Sequence, residues 1–239
     1  MFSTKLLSKE NAKIRIVWVH GWGHTNKNML HLANKFATQT ENYAVDLMGF
    51  GNSPQPDKIY TNWDYAKDVI DFINTLPVKK TIIVGHSHGG RIAIEIAASN
   101  NANAIVLLGG AGVPVKHSIF FKIFLFFVKK FKFLKNYFPF LIKIFGSTDY
   151  NNSTPIVRES LKNVINEDLR KKSEKITIPT LLLYGDYDTA TPIYMGEEYK
   201  KCIPNAELNI INGANHFDII GSSAERVHFL ITKFIREKL

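Results

Sequence analysis

Ser87 lies in a run of glycine and histidine residues that is typical of a catalytic nucleophile. The run GHSHGG (residues 85–90) follows the apolar stretch TIIV and precedes the helical stretch RIAIEIAAS. A G-x-S-x-G sequence between a strand and a helix forms a sharp, strained turn that exposes the serine hydroxyl. We therefore predict that Ser87 is a nucleophile. Taken alone, the motif also fits a glycine-rich turn of no catalytic use.

A serine hydroxyl attacks efficiently only when a neighbouring imidazole removes its proton, so one of the eight histidines should act as a base. His216 ends the sequence GANH after the last predicted strand. That loop lies at the carboxyl edge of the predicted sheet, where open α/β proteins place their sites. We predict that His216 is the general base; the alternative for a histidine in such a loop is a solvated surface residue.

The acid that orients the histidine is expected in GDYDTATP (residues 185–192), after the preceding strand. Asp186 and Asp188 both qualify. Asp188 lies one turn beyond the strand end, and Pro192 suits the first turn of a following helix. Asp186 is better suited to accept loop amides in an Asx-type turn. We therefore favour Asp188, which gives the chain order Ser87, Asp188, His216 that accompanies this kind of elbow.

Acyl transfer also needs donors for the oxyanion of the tetrahedral intermediate. The sequence HGWG (residues 20–23) follows the apolar run IRIVWV. We predict that the backbone N–H groups of Trp22 and His88 form this oxyanion hole. The Trp22 side chain is a candidate for the wall of a substrate pocket, and plain packing is its alternative role.

These motifs, in this order, resemble those of the α/β-hydrolase superfamily. The segment DLMGFGNS (residues 46–53) also resembles the family's D-x-x-G-x-G-x-S turn. The resemblance covers nearly the whole chain except a central insertion, and it implies a serine hydrolase. Within the family, HGWG together with VDLMGFGNS is similar to the carboxylesterases that cleave the methyl ester of pimeloyl-acyl carrier protein. Dehalogenases and epoxide hydrolases carry an aspartate at the elbow, so Ser87 argues against both.

Apolar β-branched runs alternate with helical periodicity, which predicts an α/β fold with a mostly parallel, doubly wound sheet. Only about thirteen residues precede the first of these strands. The two leading antiparallel strands of the family should therefore be shortened or reduced to a single piece. We predict strands at Ile14–Val19, Tyr43–Asp46, Thr81–Val84, Ala104–Leu108, Thr180–Tyr184 and Glu207–Ile211, and helices near Asn26–Thr38, Trp63–Leu76, Gly89–Ser99, Ile193–Lys201 and Ala224–Lys238.

The alternation stops between residue 112 and about residue 178. We predict a hydrolase core at residues 1–112 and 179–239 with a helical lid inserted at 113–178. The lid contains ten of the seventeen phenylalanines, and no Asp or Glu occurs from residue 96 to residue 148. We predict that Phe124 and Phe127 bind the acyl chain, although simple packing on the core is equally compatible. The outward-facing lysines could dock an acidic carrier protein or an anionic membrane surface.

Composition restricts the partners, cellular location and cofactors that the protein can have. The net charge of +9 favours anionic partners. A codon bias toward A/T would enrich Lys, Asn, Ile and Phe without a functional cause. Cys202 is the only cysteine, which excludes an internal disulfide and fits a reducing compartment. No signal peptide, cofactor motif, metal-ligand pattern or nucleic-acid motif is recognisable, so we expect a cytoplasmic protein without cofactor or metal.

The predicted activity is hydrolysis of a small or lipid-like carboxylic ester through an acyl-serine intermediate. Three alternatives stay open at this point. The first is hydrolysis of a carbon–carbon bond on the same fold. The second is a hydrolase-like module that binds a ligand with little turnover, and the third is a peripheral membrane lipase.

Overall fold

A computed structural model describes residues 1–6, 8–9, 11–115 and 154–239. Elements are numbered along these residues. The strands are β1 (Phe2–Lys5), β2 (Ile14–Val19), β3 (Glu41–Asp46), β4 (Lys80–His86), β5 (Ala104–Leu108), β6 (Thr180–Gly185) and β7 (Ala206–Ile211). The helices are α1 (Leu30–Ala33), α2 (Asn62–Asn74), α3 (His88–Ala98), α4 (Pro155–Asn166), α5 (Arg170–Ser173), α6 (Ile193–Cys202) and α7 (Ala224–Lys238).

The described strands form one seven-stranded sheet in the order β1-β3-β2-β4-β5-β6-β7. All neighbouring pairs run parallel except β1 and β3, which pair antiparallel with Phe2 opposite Asp46. The predicted mostly parallel α/β sheet is therefore confirmed. In the described residues a single antiparallel strand, β1, precedes β2.

Both faces of the central strands are covered, and this explains their continuous apolar sequences. Ile83, Ile105 and Leu107 belong to a core cluster that also includes the inner faces of α2 and α3. Ile82 and Val106, from the same two strands, point to the opposite face and join a second cluster with α7. Side chains alternate between faces along a strand, so each face needs its own apolar residues.

The boundaries of β2 and β5 coincide with the predicted ones. Among the other core strands, β6 and β7 are one residue longer than predicted, β3 is two and β4 is three. The helix predicted near Asn26–Thr38 is the main difference. It is broken into a 3-10 turn at Asn26–Met29, the short α1, and a second 3-10 turn at Asn34–Phe36. The amides at its start are bound by side chains, since Asp46 accepts from the Asn26 amide and Asn28 accepts from the Thr25 amide. These bonds satisfy amides that have no acceptor within a helix.

The helices α4 and α5 fall within the segment predicted as a lid. Arg91 on α3 donates to the backbone carbonyls of Val164, Ile165 and Glu167 at the end of α4. This contact fastens the segment to the core. Phe124, Phe127 and the lysine-rich stretch lie outside the described residues. No helix in the described part of the chain is long and apolar enough to cross a bilayer.

Candidate active site

Ser87 occupies a strained turn between β4 and α3. Its backbone has φ 53° and ψ −112°, a left-handed conformation that is uncommon for a non-glycine residue. Gly85 and Gly89 are required because an added side-chain atom would not fit at either position. A Cβ at Gly85 would overlap the Gly89 carbonyl, and a Cβ at Gly89 would overlap the Val19 carbonyl. The Ser87 amide donates to the Leu108 carbonyl at 3.1 Å, which holds the strained residue in place.

Asp188 and His216 meet at the carboxyl edge of the sheet, one after β6 and the other after β7. His216 Nδ1 lies 2.7 Å from Asp188 Oδ2. Asp188 is 3% exposed and His216 is partly buried. A carboxylate at Nδ1 favours the tautomer that carries its proton there, so Nε2 keeps the lone pair that a general base needs.

Thr191 is a member of this group that the sequence reasoning missed. Its hydroxyl donates to Asp188 Oδ2 at 2.7 Å, and its amide donates to Asp188 Oδ1 at 2.8 Å. The Ala190 amide also donates to Oδ1, at 2.9 Å. The signal was present, because a threonine three residues after an aspartate in a loop commonly closes an Asx or ST turn.

These donors decide the charge of Asp188. Burial acts to raise its pKa, but the hydrogen bonds from His216 and Thr191 outweigh burial and hold the pKa below its ordinary value. Asp188 is therefore ionised at neutral pH. Asp186 has a different position, since its Oδ1 accepts from the Gly213 amide in the next loop at 2.7 Å. It ties the two loops together instead of contacting the imidazole.

His86 links the elbow to the loop of His216. Its Nε2 lies 2.9 Å from the His216 carbonyl oxygen, and the two imidazole centroids are 4.6 Å apart. Burial, and after it the neighbouring His216, lower the pKa of His86 to about 3, although the hydrogen bond to the His216 carbonyl acts to raise it. His86 is thus neutral and donates from Nε2. The residue before Ser87 therefore fixes the backbone of His216.

The HGWG loop lies directly against Ser87. A Cβ at Gly21 would lie 3.2 Å from the Ser87 Cβ. His20 is fully buried and holds this loop, because its Nδ1 donates to the Gly21 carbonyl at 2.7 Å and its Nε2 accepts from the Leu47 amide at 3.1 Å. Burial lowers the pKa of His20 to about 4, so the ring is neutral.

The two predicted oxyanion donors are on adjoining elements. His88 is the first residue of α3, so its amide has no acceptor within the helix. Trp22 follows β2 in the HGWG loop, and its ring contacts the His88 ring with centroids 5.1 Å apart. The N-terminus of α3 also carries the positive end of the helix dipole, which favours negative charge at Ser87.

The structure thus brings Ser87, Asp188, His216, Trp22 and His88 to one edge of the sheet, and their roles in catalysis stay predictions. Phe124 and Phe127, the predicted acyl-binding residues, lie outside the described residues. Within the described ranges, no group of three or more His, Cys, Asp or Glu side chains is arranged to hold a metal ion.

Comparisons with known proteins cover most of the chain. A sequence profile described as "Alpha/beta hydrolase family" matches residues 16–227. The chain is 29% identical to the AB hydrolase superfamily protein YisY of Bacillus subtilis, over 92% of this chain and 90% of that protein. It is 26% identical to a pimeloyl-[acyl-carrier protein] methyl ester esterase of Wigglesworthia glossinidia brevipalpis, over 95% and 93%.

Solved structures agree on the fold. The crystal structure of a lipase-esterase related protein from Clostridium acetobutylicum superposes with a TM-score of 0.74 at 23% identity and covers 98% of both chains. At this level of identity the similarity shows the fold alone. The match of the family profile extends over most of the chain, from within β2 into α7. The chain therefore belongs to the alpha/beta hydrolase family.

Proposed function

We propose that this hydrolase cleaves carboxylic esters through an acyl-Ser87 intermediate. The observation that carries the proposal is the hydrogen bond between Asp188 and His216, 2.7 Å long, at the same sheet edge as the strained Ser87 elbow. A buried, ionised carboxylate on Nδ1 is the arrangement that an imidazole base requires. The relatedness to a methyl ester esterase supports the ester as the bond that is broken.

In the first half of the reaction, His216 Nε2 takes the Ser87 proton as the serine oxygen attacks the ester carbonyl. The amides of Trp22 and His88 donate to the oxyanion, and each such donor is worth about 3 kcal/mol of barrier. The imidazolium then gives its proton to the leaving alcohol oxygen as the C–O bond breaks. Asp188 stabilises the imidazolium throughout and stays ionised.

In the second half, His216 Nε2 takes a proton from water, which attacks the acyl-serine carbonyl. Collapse of the second tetrahedral intermediate breaks the bond to Ser87, and the imidazolium returns the proton to the serine oxygen. Acid product and free enzyme result, and no group outside the chain is needed to balance the reaction.

The test combines covalent labelling with turnover. A fluorophosphonate probe should label the wild-type protein, and peptide mapping should locate the adduct on Ser87. The wild type should hydrolyse p-nitrophenyl esters of graded chain length, whereas Ser87→Ala should show neither labelling nor turnover above background. Ser222→Ala is a matched control, because Ser222 is an exposed serine in the segment after His216. It should be labelled like the wild type.

Two outcomes would contradict the proposal. One is an adduct that maps to a residue other than Ser87. The other is equal turnover by wild type and Ser87→Ala across the whole ester series. Labelling of Ser87 without turnover of any ester would indicate that the enzyme cleaves another bond, such as the carbon–carbon bond of a β-diketone.

A further inference from the structure

Three buried ring nitrogens at the elbow and beside it have no hydrogen-bond partner among the described residues. They are Nδ1 of His86, Nε1 of Trp22 and Nε2 of His88, and each exposes less than 1 Å². The His86 ring already has a partner at its other nitrogen, the His216 carbonyl. The indole N–H of tryptophan can only donate. A buried donor without an acceptor costs free energy comparable to a lost hydrogen bond, so such atoms are rare unless a ligand or water completes them.

The ring nitrogens of Trp22 and His88 belong to one aromatic cluster. The rings of Trp22 and His88 meet edge to face, with centroids 5.1 Å apart. The Tyr65 ring contacts both, at 6.1 Å from Trp22 and 5.3 Å from His88, and Phe50 packs on Trp22 at 5.0 Å. His88 is 4% exposed. Each of these two touching rings therefore carries one unpaired polar atom.

The position of the cluster relates it to the reaction. Trp22 lies in the loop whose amide is a predicted oxyanion donor, and His88 directly follows Ser87. The side chains of these two residues therefore extend from the two segments whose amides would hold an ester carbonyl. A substrate group bound there would be part of the acyl chain, close to the scissile carbonyl.

The cluster carries no net charge of its own. Burial, followed by the neighbouring Arg91 and His20, holds the pKa of His88 well below its ordinary value, so the imidazole is neutral. The Arg91 guanidinium is engaged by the carbonyls of α4. Neutral donors pair well with an uncharged oxygen.

We propose that Trp22 and His88 form a polar acyl subsite that selects esters with a keto or hydroxyl oxygen near the scissile carbonyl. The inference rests on the proposed ester hydrolysis and adds the substrate class. The indole N–H donates to that oxygen, and His88 donates to it in the tautomer with the proton on Nε2. A plain alkyl chain leaves both nitrogens unpaired, and sites built to bind a polar substrate group discriminate strongly against analogues that lack it.

The test compares methyl 3-oxohexanoate and methyl 3-hydroxyhexanoate with methyl hexanoate, with acid release followed by pH-stat titration. We expect kcat/KM to be about tenfold or more higher for at least one oxygenated ester in the wild type. Trp22→Phe and His88→Phe keep an aromatic ring and the backbone amide but remove the nitrogen. In each variant the preference should fall to about threefold or less. Phe50→Leu removes a ring of the same cluster that carries no polar atom, and the ratio should persist.

A second measurement needs no turnover. The indole N–H resonance of Trp22 is one of three in the protein and is assigned by its loss in Trp22→Phe. In Ser87→Ala protein, methyl 3-oxohexanoate should shift this resonance downfield, and methyl hexanoate should leave it in place. The shift supports the subsite.

Equal kcat/KM for the three methyl esters, with an unmoved indole resonance, would overturn the subsite and leave the proposed function intact. Failure to hydrolyse any ester, with no labelling of Ser87, would contradict the proposed function. In that case the indole titration alone decides whether the subsite exists.

Discussion

The hydroxyl of Thr191 and the imidazole of His216 share one acceptor, Oδ2 of Asp188. Thr191 Oγ1 and His216 Nδ1 each lie 2.7 Å from that oxygen and 3.2 Å from each other. Because both groups donate to the same oxygen, they restrict its position and stabilise its negative charge. The other carboxylate oxygen is held by two backbone amides, so the carboxylate has little freedom to rotate.

Asp188→Asn should lower kcat for ester hydrolysis by about 10³- to 10⁴-fold. The amide that replaces the carboxylate can donate toward Nδ1, which favours the tautomer with its proton on Nε2 and leaves the ring unable to accept from Ser87. Stopped-flow or steady-state turnover of a p-nitrophenyl ester checks this. Asp186→Asn is the control, since Asp186 accepts from the Gly213 amide and should change kcat by less than about tenfold. A larger loss in Asp186→Asn would reverse the assignment of the acid.

Thr191→Val should lower kcat by about fivefold, because Asp188 loses one hydrogen bond while the shape of the side chain is kept. The backbone amide of residue 191 still binds the carboxylate, so the loss stays modest. Thr191→Ser returns the hydroxyl and should recover most of the activity. A purely structural effect of Thr191→Val would instead lower the melting temperature and leave kcat unchanged. Thr191→Ser would then not restore the melting temperature.

The sheet and the elbow could be predicted from the sequence because their determinants are local. Continuous apolar runs define β4 and β5, and GHSHGG places Ser87 at the only kind of turn that needs glycine on both sides. Chain order and strand ends then led to Asp188 and His216. The expected helix over Asn26–Thr38 was wrong in its regularity, because it is divided into two 3-10 turns and the short α1.

The supporting contacts could not be predicted, since they join residues far apart in the chain. His86 contacts the His216 backbone across 130 residues, and its role depends on the depth of its burial. The unpaired nitrogens of Trp22 and His88 likewise depend on which atoms surround them. Hydrophobic periodicity and turn motifs contain no information on such packing.

Gly89→Ala should destabilise the protein by several kcal/mol or prevent folding, because the added methyl overlaps the Val19 carbonyl in β2 and rigid backbone cannot move away. Gly21→Ala should behave differently. Its methyl would lie 3.2 Å from Ser87 Cβ, which is tight but can be relieved by small shifts. We expect a folded protein with reduced kcat. Urea unfolding and ester turnover separate the two effects, and equal melting temperatures for wild type and Gly89→Ala would contradict the steric argument.

Glu41→Gln should lower the free energy of unfolding by about 3 kcal/mol at pH 7, because it leaves the buried Arg15 guanidinium without its carboxylate. Burial acts to raise the pKa of Glu41, but Lys79 and Arg15 outweigh it and lower the pKa. A lowered folded pKa gives stability that is present above the unfolded pKa and is lost as the pH falls through the folded value.

The difference between wild type and Glu41→Gln should therefore be constant above about pH 5 and shrink below about pH 4. Urea unfolding at several pH values measures it. Glu225→Gln is the control, because Glu225 pairs with Lys35 but its side chain is 81% exposed. That variant should differ from wild type by less than about 1 kcal/mol. A difference for Glu41→Gln that does not change between pH 7 and pH 3 would show that the lost charge is not its cause.

Arg91→Leu should loosen α4 more than any other described helix. The guanidinium binds three carbonyls at the end of that helix, and losing these hydrogen bonds from a charged donor should cost about 3 kcal/mol. Only the amide of Asn62 would still bind the Val164 carbonyl. Hydrogen exchange followed by mass spectrometry should show faster exchange in peptides from residues 155–166, with β4 and β5 protected as in the wild type.

Arg170→Gln is the matched control for this experiment, because Arg170 forms exposed ion pairs with Asp168 and Glu198 just beyond α4. Its loss should cost less than about 1 kcal/mol and leave exchange in residues 155–166 unchanged. If Arg91→Leu instead accelerated exchange equally in α4 and in the central strands, the arginine would be stabilising the elbow helix and the sheet as a whole. Selective exchange in α4 means that a residue one turn from Ser87 sets how firmly this helix is held over the core.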